Sequence, residues 1–225
     1  MILTTSKTFA AGIVAHVSRA DRANRLARRV RAKVVSVDDG TLGATANHTL
    51  VLERLYAETK EDPPTYLLVL EDDAIPVRAP LKHFDLALRS APESIVSFYL
   101  GTNFPRYWQP GVQKAIHEAD SHGVPWIVGD HLLHAVGYAV YRHIVPELVE
   151  FLRSVPTLPV DEAITEWARR VHRPVAYTWP SLVDHLDDEP VIDHKDGVPR
   201  NLPRKAHRHG APKTWTRKYV RMEYA

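Results

Sequence analysis

An α/β fold with a mostly parallel central sheet flanked by helices is what this 225-residue sequence predicts. Three observations carry the expectation. Short β-rich apolar runs alternate with segments of helical periodicity, one apolar run at residues 66–70 is uninterrupted, and Glu71, Asp72 and Asp73 follow it directly.

Residues 12–17 form a β-rich run, and residues 22–31 follow with Leu26 and Val30 at helical spacing. Residues 33–37 give a second strand, closed by the turn signature Asp38-Asp39-Gly40. Strand, helix, strand in this order implies a parallel pair joined by a right-handed crossover. Residues 45–58 read as a helix with Ala46, Leu50, Val51 and Leu55 roughly on one face. After the break at residues 61–64, Tyr66-Leu67-Leu68-Val69-Leu70 has the pattern of a strand buried on both faces. The three carboxylates therefore stand at the carboxyl end of the third parallel strand, where open α/β sheets place their ligands. A helix is predicted at 80–89 and a strand at 94–100. Residues 101–130, with Pro105, Pro110, Gly111, Gly123 and Pro125, read as mostly irregular, the mark of a binding loop or lid. A strand at 134–141, helices at 145–152 and 161–172, and a short strand at 175–177 complete the pattern, with no internal repeat.

Length and composition bound the function. One domain over residues 1–198 and a basic tail over 199–225 account for the chain, whose 44% hydrophobic and 25% charged residues suit a soluble globular protein. No apolar run reaches the ~18 residues of a membrane span, and residues 1–7 lack signal-peptide character, so a cytoplasmic protein is expected. The absence of cysteine excludes a thiolate nucleophile and a cysteine zinc site, leaving oxygen or imidazole donors and hence Mn or Mg for any metal. The tail carries Arg200, Arg204, Lys205, Arg208, Lys213, Arg217, Lys218 and Arg221 against Glu223 alone, interleaved with His207, His209, Trp215, Tyr219 and Tyr224. Such a mixture suits a polyanion with stackable bases, and equally a terminus packed onto the domain through its aromatics. Arg outnumbers Lys by 20 to 9, the bias of a GC-rich bacterial or phage genome.

Three adjacent carboxylates repel one another unless a cation or solvent compensates them. A divalent ion is an economical answer, with Asp73 and then Asp72 as direct ligands; an acidic turn capping the next segment, helped by Pro76 and Pro80, is the structural alternative. Leu68-Val69-Leu70-Glu71-Asp72-Asp73-Ala74 resembles the strand-plus-EDD element of glycosyltransferase family 25, the lipooligosaccharide and collagen galactosyltransferase-like group with a GT-A fold. Gly43-Ala44-Thr45-Ala46-Asn47-His48 resembles the stretch this group carries before its EDD, and Pro159-Val160-Asp161 its apolar-Asp step before a helix. Trp179-Pro180-Ser181-Leu182-Val183-Asp184-His185 is similar to the Pro-Ser-Leu-Val-x-His segment of bacterial and phage GT-A transferases, whose histidine lies near the diphosphate or metal. The resemblance runs in consistent order over roughly residues 13–192.

It implies a metal-dependent glycosyltransferase that moves a sugar from a nucleotide-sugar, a UDP-hexose, to an acceptor hydroxyl. Asp72, Asp73 and His185 are the implied metal ligands, with Asp184, Asp187, Asp188 and Glu189 around the imidazole. Val14, His16, Ser18, Asp38, Asn47, His48, Glu71 and Asp72 are the implied nucleotide-sugar residues. Asp38 is equally a turn residue before Gly40, and Asn47 and His48 equally residues of a helix start without a ligand. Asp161 is the implied general base, with Glu162 as substitute, or else a helix cap. Trp108 and Trp126, with Tyr107 and His131, are expected either as an acceptor platform or, more commonly for such rings, as aromatics buried under a loop; Arg204, Arg208 and Trp215 join them if the acceptor is a hydroxylated base in phage DNA. Lipooligosaccharide or a protein hydroxyl is the rival acceptor. A nucleic-acid-binding protein with a degenerate transferase domain is the reading from another class, and a metal-dependent nuclease ranks last because its ligands would be spread over several strands.

Overall fold

The structure, a computed structural model, describes residues 7–186 and 202–223; Asp187, Asp188, Glu189, Arg200 and Tyr224 lie outside the described residues. In chain order the elements are β1 (Phe9–His16), α1 (Ala20–Val30), β2 (Val34–Asp38), α2 (Ala44–Glu58), β3 (Tyr66–Glu71), β4 (Ala74–Pro76), α3 (Pro80–Ser90) and β5 (Ile95–Ser97). They continue with α4 (Gln109–His122), β6 (Trp126–Gly129), β7 (Gly137–Tyr141), α5 (Val145–Ser154), α6 (Val160–Arg170), β8 (Val175–Thr178), β9 (Val183–His185) and β10 (Val220–Arg221).

The apolar runs assemble into an eight-stranded mixed sheet of order β10-β6-β8-β5-β7-β3-β1-β2, with β4 and β9 forming a separate two-stranded pair. As the strand-helix-strand order predicts, β1 lies parallel to β2 on one side and to β3 on the other. The uninterrupted run of β3 is explained by its two faces. Tyr66, Leu68 and Leu70 join an apolar layer with Leu26 and Val30 of α1 and Phe84 of α3, while Leu67 and Val69 join Val51, Leu52, Leu148 and Trp167 of α2, α5 and α6. Alternate side chains of a strand point to opposite faces, so a strand covered by helices on both sides needs apolar residues throughout.

Helix α2 presses closely on β1. A methyl at Gly12 would stand 2.5 Å from Val51 Cγ1 and 3.0 Å from Leu55 Cδ1. Gly12→Ala is therefore expected to destabilise the protein by about 1–3 kcal/mol through overpacking, read as a lowered urea midpoint at unchanged slope.

Two expectations are corrected. Residues 101–130 are not mostly irregular: they contain α4, which tolerates Pro110 in its first turn and ends on Gly123 in the left-handed conformation (φ 60°), followed by β6. The sheet is parallel only in part, because β7 runs antiparallel to both β3 and β5, and β6 antiparallel to β8. Of the two readings of the basic segment, residues 202–223 follow the packed one. His207 N–H donates to Leu100 O, Ser181 N–H to Arg208 O and Gly210 N–H to Ser181 O. β10 adds a parallel edge strand to β6, and Met222 is buried behind it. Arg208 forks onto Asp120 at 2.7 and 2.8 Å and lies 4.7 Å above the Trp179 ring. No helix among the described residues is long and apolar enough to cross a membrane.

Candidate active site at the carboxyl rim of β1 and β3

The parallel register decides which side chains share a rim. Val14 of β1 stands opposite Glu71 of β3, and His16 opposite Asp38 of β2, so these four lie along one edge of the sheet. The chain then turns at the end of β3, and the next two carboxylates face a short helical turn, Val17–Arg19, that follows β1. His16 N–H donates to Asp72 Oδ2 at 2.8 Å, and Arg19 Nη1 donates to Asp72 Oδ1 at 3.3 Å and Asp73 Oδ2 at 2.9 Å. Both carboxylates are buried, at 5% and 7% exposure.

That burial sets the electrostatics. Burial, reinforced by Glu71 and Asp72 and opposed by Arg19 and Arg204, pushes the Asp73 carboxyl up to about 7. Asp72 is raised mainly by burial. The Arg19 guanidinium, which burial alone would lower, is raised by Asp73 and Asp72.

The EDD and the Pro-Ser-Leu-Val-x-His segment meet here. β4 and β9 pair antiparallel with Ala74 opposite His185, which brings His185 Nε2 to 3.4 Å from Asp73 Oδ2, and Leu186 N–H donates to Asp73 O. Glu71 turns toward α2, where His48 Nε2 lies 3.3 Å from its Oε1, and the other nitrogen of His48 lies 3.2 Å from the Tyr138 hydroxyl. Burial would raise the Glu71 carboxyl, but hydrogen bonding and charge from His48, with His185 and His134 adding, hold it below its ordinary value. Asp161, in the first turn of α6, accepts from Glu162 N–H at 3.1 Å. Burial, with Glu71 and Glu162 adding, pushes its carboxyl up to about 7. The cap position of α6 belongs to Pro159, so Asp161 is not the helix cap.

Other expected residues fall into place less directly. Asp38 spends both oxygens on its own loop, accepting from the N–H groups of Gly40, Leu42 and Gly43, which is the turn role. Asn47 is buried and donates to Ala15 O, tying α2 to β1. His16 and Ser18 form a hydrogen-bonded pair at 2.8 Å on the exposed rim. Trp108 packs on His131 with ring centroids 4.3 Å apart, His131 Nδ1 lies 2.6 Å from Asp130 Oδ1, and Tyr107 is 72% exposed. Trp126 takes the buried alternative: it is fully buried, its indole N–H donates to Thr216 O, and it packs on the half-buried Trp215. Arg208 is engaged with Asp120 and Trp179, whereas Arg204 is close enough to the rim to act on Asp73 and His134.

The donor set suits a hard cation in part. Asp73 Oδ1 is buried with no hydrogen-bond partner among the described residues, and an imidazole stands beside the same carboxylate. Among the described residues no group of three or more His, Asp or Glu side chains is disposed as a complete cage. Arg19 was not anticipated from sequence. The signal available was an arginine directly after a strand whose parallel neighbour ends in three acids.

No family model and no curated protein matches the chain. Among solved structures it is similar to a glycosyltransferase involved in the glycosylation of the major capsid of PBCV-1, at 9% identity and a TM-score of 0.32, covering 66% of this chain and 66% of that one. It is also similar to A197 from STIV, at 9% identity and a TM-score of 0.37, covering 80% of this chain and 87% of that one. Likenesses this distant carry no argument about chemistry, which rests on the site.

Proposed function

We propose that the protein is a GT-A-type glycosyltransferase that moves a sugar, a hexose of a UDP-sugar, to an acceptor hydroxyl. One observation supports the reading above all: the β4–β9 pairing sets His185 against Asp73, whose second oxygen is buried without a partner, at the carboxyl rim of a parallel three-strand unit. Asp73 and His185, with Asp72 behind them, would hold Mn or Mg against a diphosphate. An ion so placed supplies positive charge to the leaving nucleoside diphosphate. Val14, His16 and Ser18 border the space for base and ribose. Glu71, ionised and oriented by His48, fixes the floor of the site, and Asp161 takes the proton of the acceptor hydroxyl. Trp108 and the Asp130–His131 pair line the acceptor side. For the acceptor we favour a hydroxyl of a glycan or protein over a DNA base, because Arg208 and Arg217 of the basic segment are engaged with Asp120 and Ala91 O.

Asp73→Asn tests the reading, since it removes charge with little change of shape. The variant is expected to melt like the wild type and to lose Mn-dependent UDP binding in calorimetry. Binding of UDP with Mn at wild-type affinity by a folded variant would refute the site.

A further inference from the structure

Arg19 holds the two carboxylates that the proposed site would offer to a cation. Its side chain is only 14% exposed, and one nitrogen bridges Asp72 and Asp73, whose side chains are 7% and 9% exposed. Asp72 has no oxygen left over, since His16 N–H takes Oδ2 and Arg19 takes Oδ1. Asp73 retains Oδ1 alone. A divalent ion approaching Asp73 meets the guanidinium as a like charge at short range, and the two compete for the same oxygens.

The segment bearing Arg19 is suited to yielding. None of the three residues of the Val17–Arg19 turn is buried, and Val17 is half-exposed. Movement of Val17 and Ser18 therefore sacrifices little packing, so that the ion pairs of Arg19 are the main contacts given up. Guanidinium is also matched to both partners in question: its planar fork fits a carboxylate and a phosphate with the same bidentate geometry. Exchange of one for the other keeps the charge balanced. The carboxylates pass from a guanidinium to a divalent ion, and the guanidinium passes to the diphosphate.

We propose that Arg19 is a diphosphate-binding residue that guards the acidic pair, holding Asp72 and Asp73 until a nucleoside diphosphate draws its guanidinium away and leaves them to the cation. The inference rests on the nucleotide-sugar reading of the site. It makes Mn and nucleotide bind as a coupled pair, and it assigns part of that coupling to one side chain. Coupling of this kind is reciprocal, so each ligand raises the other's affinity by the same factor.

The test is calorimetry on the full chain with MnCl2 alone, UDP alone, and each titrated in the presence of the other, for wild type, Arg19→Gln and Arg19→Lys. In the wild type, saturating UDP is expected to tighten Mn by about 5–150-fold. In Arg19→Gln, Mn alone is expected to bind roughly tenfold tighter than to the wild type and UDP alone more weakly, so that the coupling shrinks. Arg19→Lys, which keeps charge without the fork, should fall between. If melting shows that Arg19→Gln does not fold, the lysine variant decides, and its affinity for Mn alone must exceed that of the wild type. Mn affinity unchanged or weakened in the folded variants, with UDP still bound by the wild type, overturns the guard role and leaves the donor site standing. No UDP binding by the wild type, with or without Mn, removes the donor-site reading and this inference with it.

Discussion

Asp161→Asn is expected to depress sugar transfer by about 10²–10⁴-fold while Mn-dependent UDP binding stays near that of the wild type. The expectation comes from the position of Asp161 in the first turn of α6 and from its carboxyl, pushed up to about 7 by burial and by Glu71 and Glu162. A base of that pKa acquires its reactive form near neutral pH, so wild-type transfer should rise with pH through about 7. The same shift has an opposite effect on stability. An unfolded chain loses this proton near pH ~4, while the folded one keeps it to about 7, so stability falls as pH rises between those values and is level above them. Asparagine mimics the protonated acid and carries no such term. The variant should therefore match the wild type in chemical denaturation near pH 4 and exceed it at pH 8. Equal losses of donor affinity and transfer would reassign Asp161 to a structural role.

Removing residues 202–225 is expected to abolish cooperative folding rather than to trim a solvated tail. The deletion strips the β10 edge from β6, exposes Trp126 and the partners of Met222, and deletes the backbone bonds to Leu100 and Ser181. Burying one large apolar side chain is worth roughly 1.5–3 kcal/mol, and several such losses approach the whole stability of ~5–15 kcal/mol. Loss of the melting transition and of near-ultraviolet dichroism would show it. A truncated protein that melts as the wild type does, yet loses salt-sensitive DNA binding, would instead restore the polyanion reading of the basic segment.

Much of the β1-to-β3 half was legible in sequence because it is local. β1, α1, β2, α2 and β3 follow in order, each signalled by its own periodicity, and the parallel crossovers leave one arrangement for them. The three acids and His185 were legible as chemistry. Their meeting was not, because it depends on β4 and β9, which are short and far apart in the chain. α4 escaped notice because prolines and glycines at its ends outweighed Val112, Ala115, Ile116 and Ala119, which are spaced as a helix face. The reversal at β7 has no signature in a strand buried on both faces. The basic segment stayed open between two readings because composition counts charges but does not say which are occupied: Arg208 and Arg217 are engaged with Asp120 and the carbonyl of Ala91.

The reversed strand β7 has a mechanical consequence. Because it runs against β3, the rim where β3 ends is the rim where β7 begins, with Leu70 opposite Gly137. The loop that carries His131 and His134 thus opens beside the acidic cluster, and its alignment hangs on a five-pair ladder from Tyr66–Tyr141 to Leu70–Gly137. Gly137 is closely packed: a methyl there would stand 2.9 Å from Leu70 Cδ2 and 3.3 Å from Val183 Cγ2. Val183 belongs to the strand that delivers His185. One hydrogen in place of a side chain therefore sets the spacing of three segments, and any bulk at residue 137 acts as a wedge that drives the histidines and the carboxylates apart before the outer strands feel it.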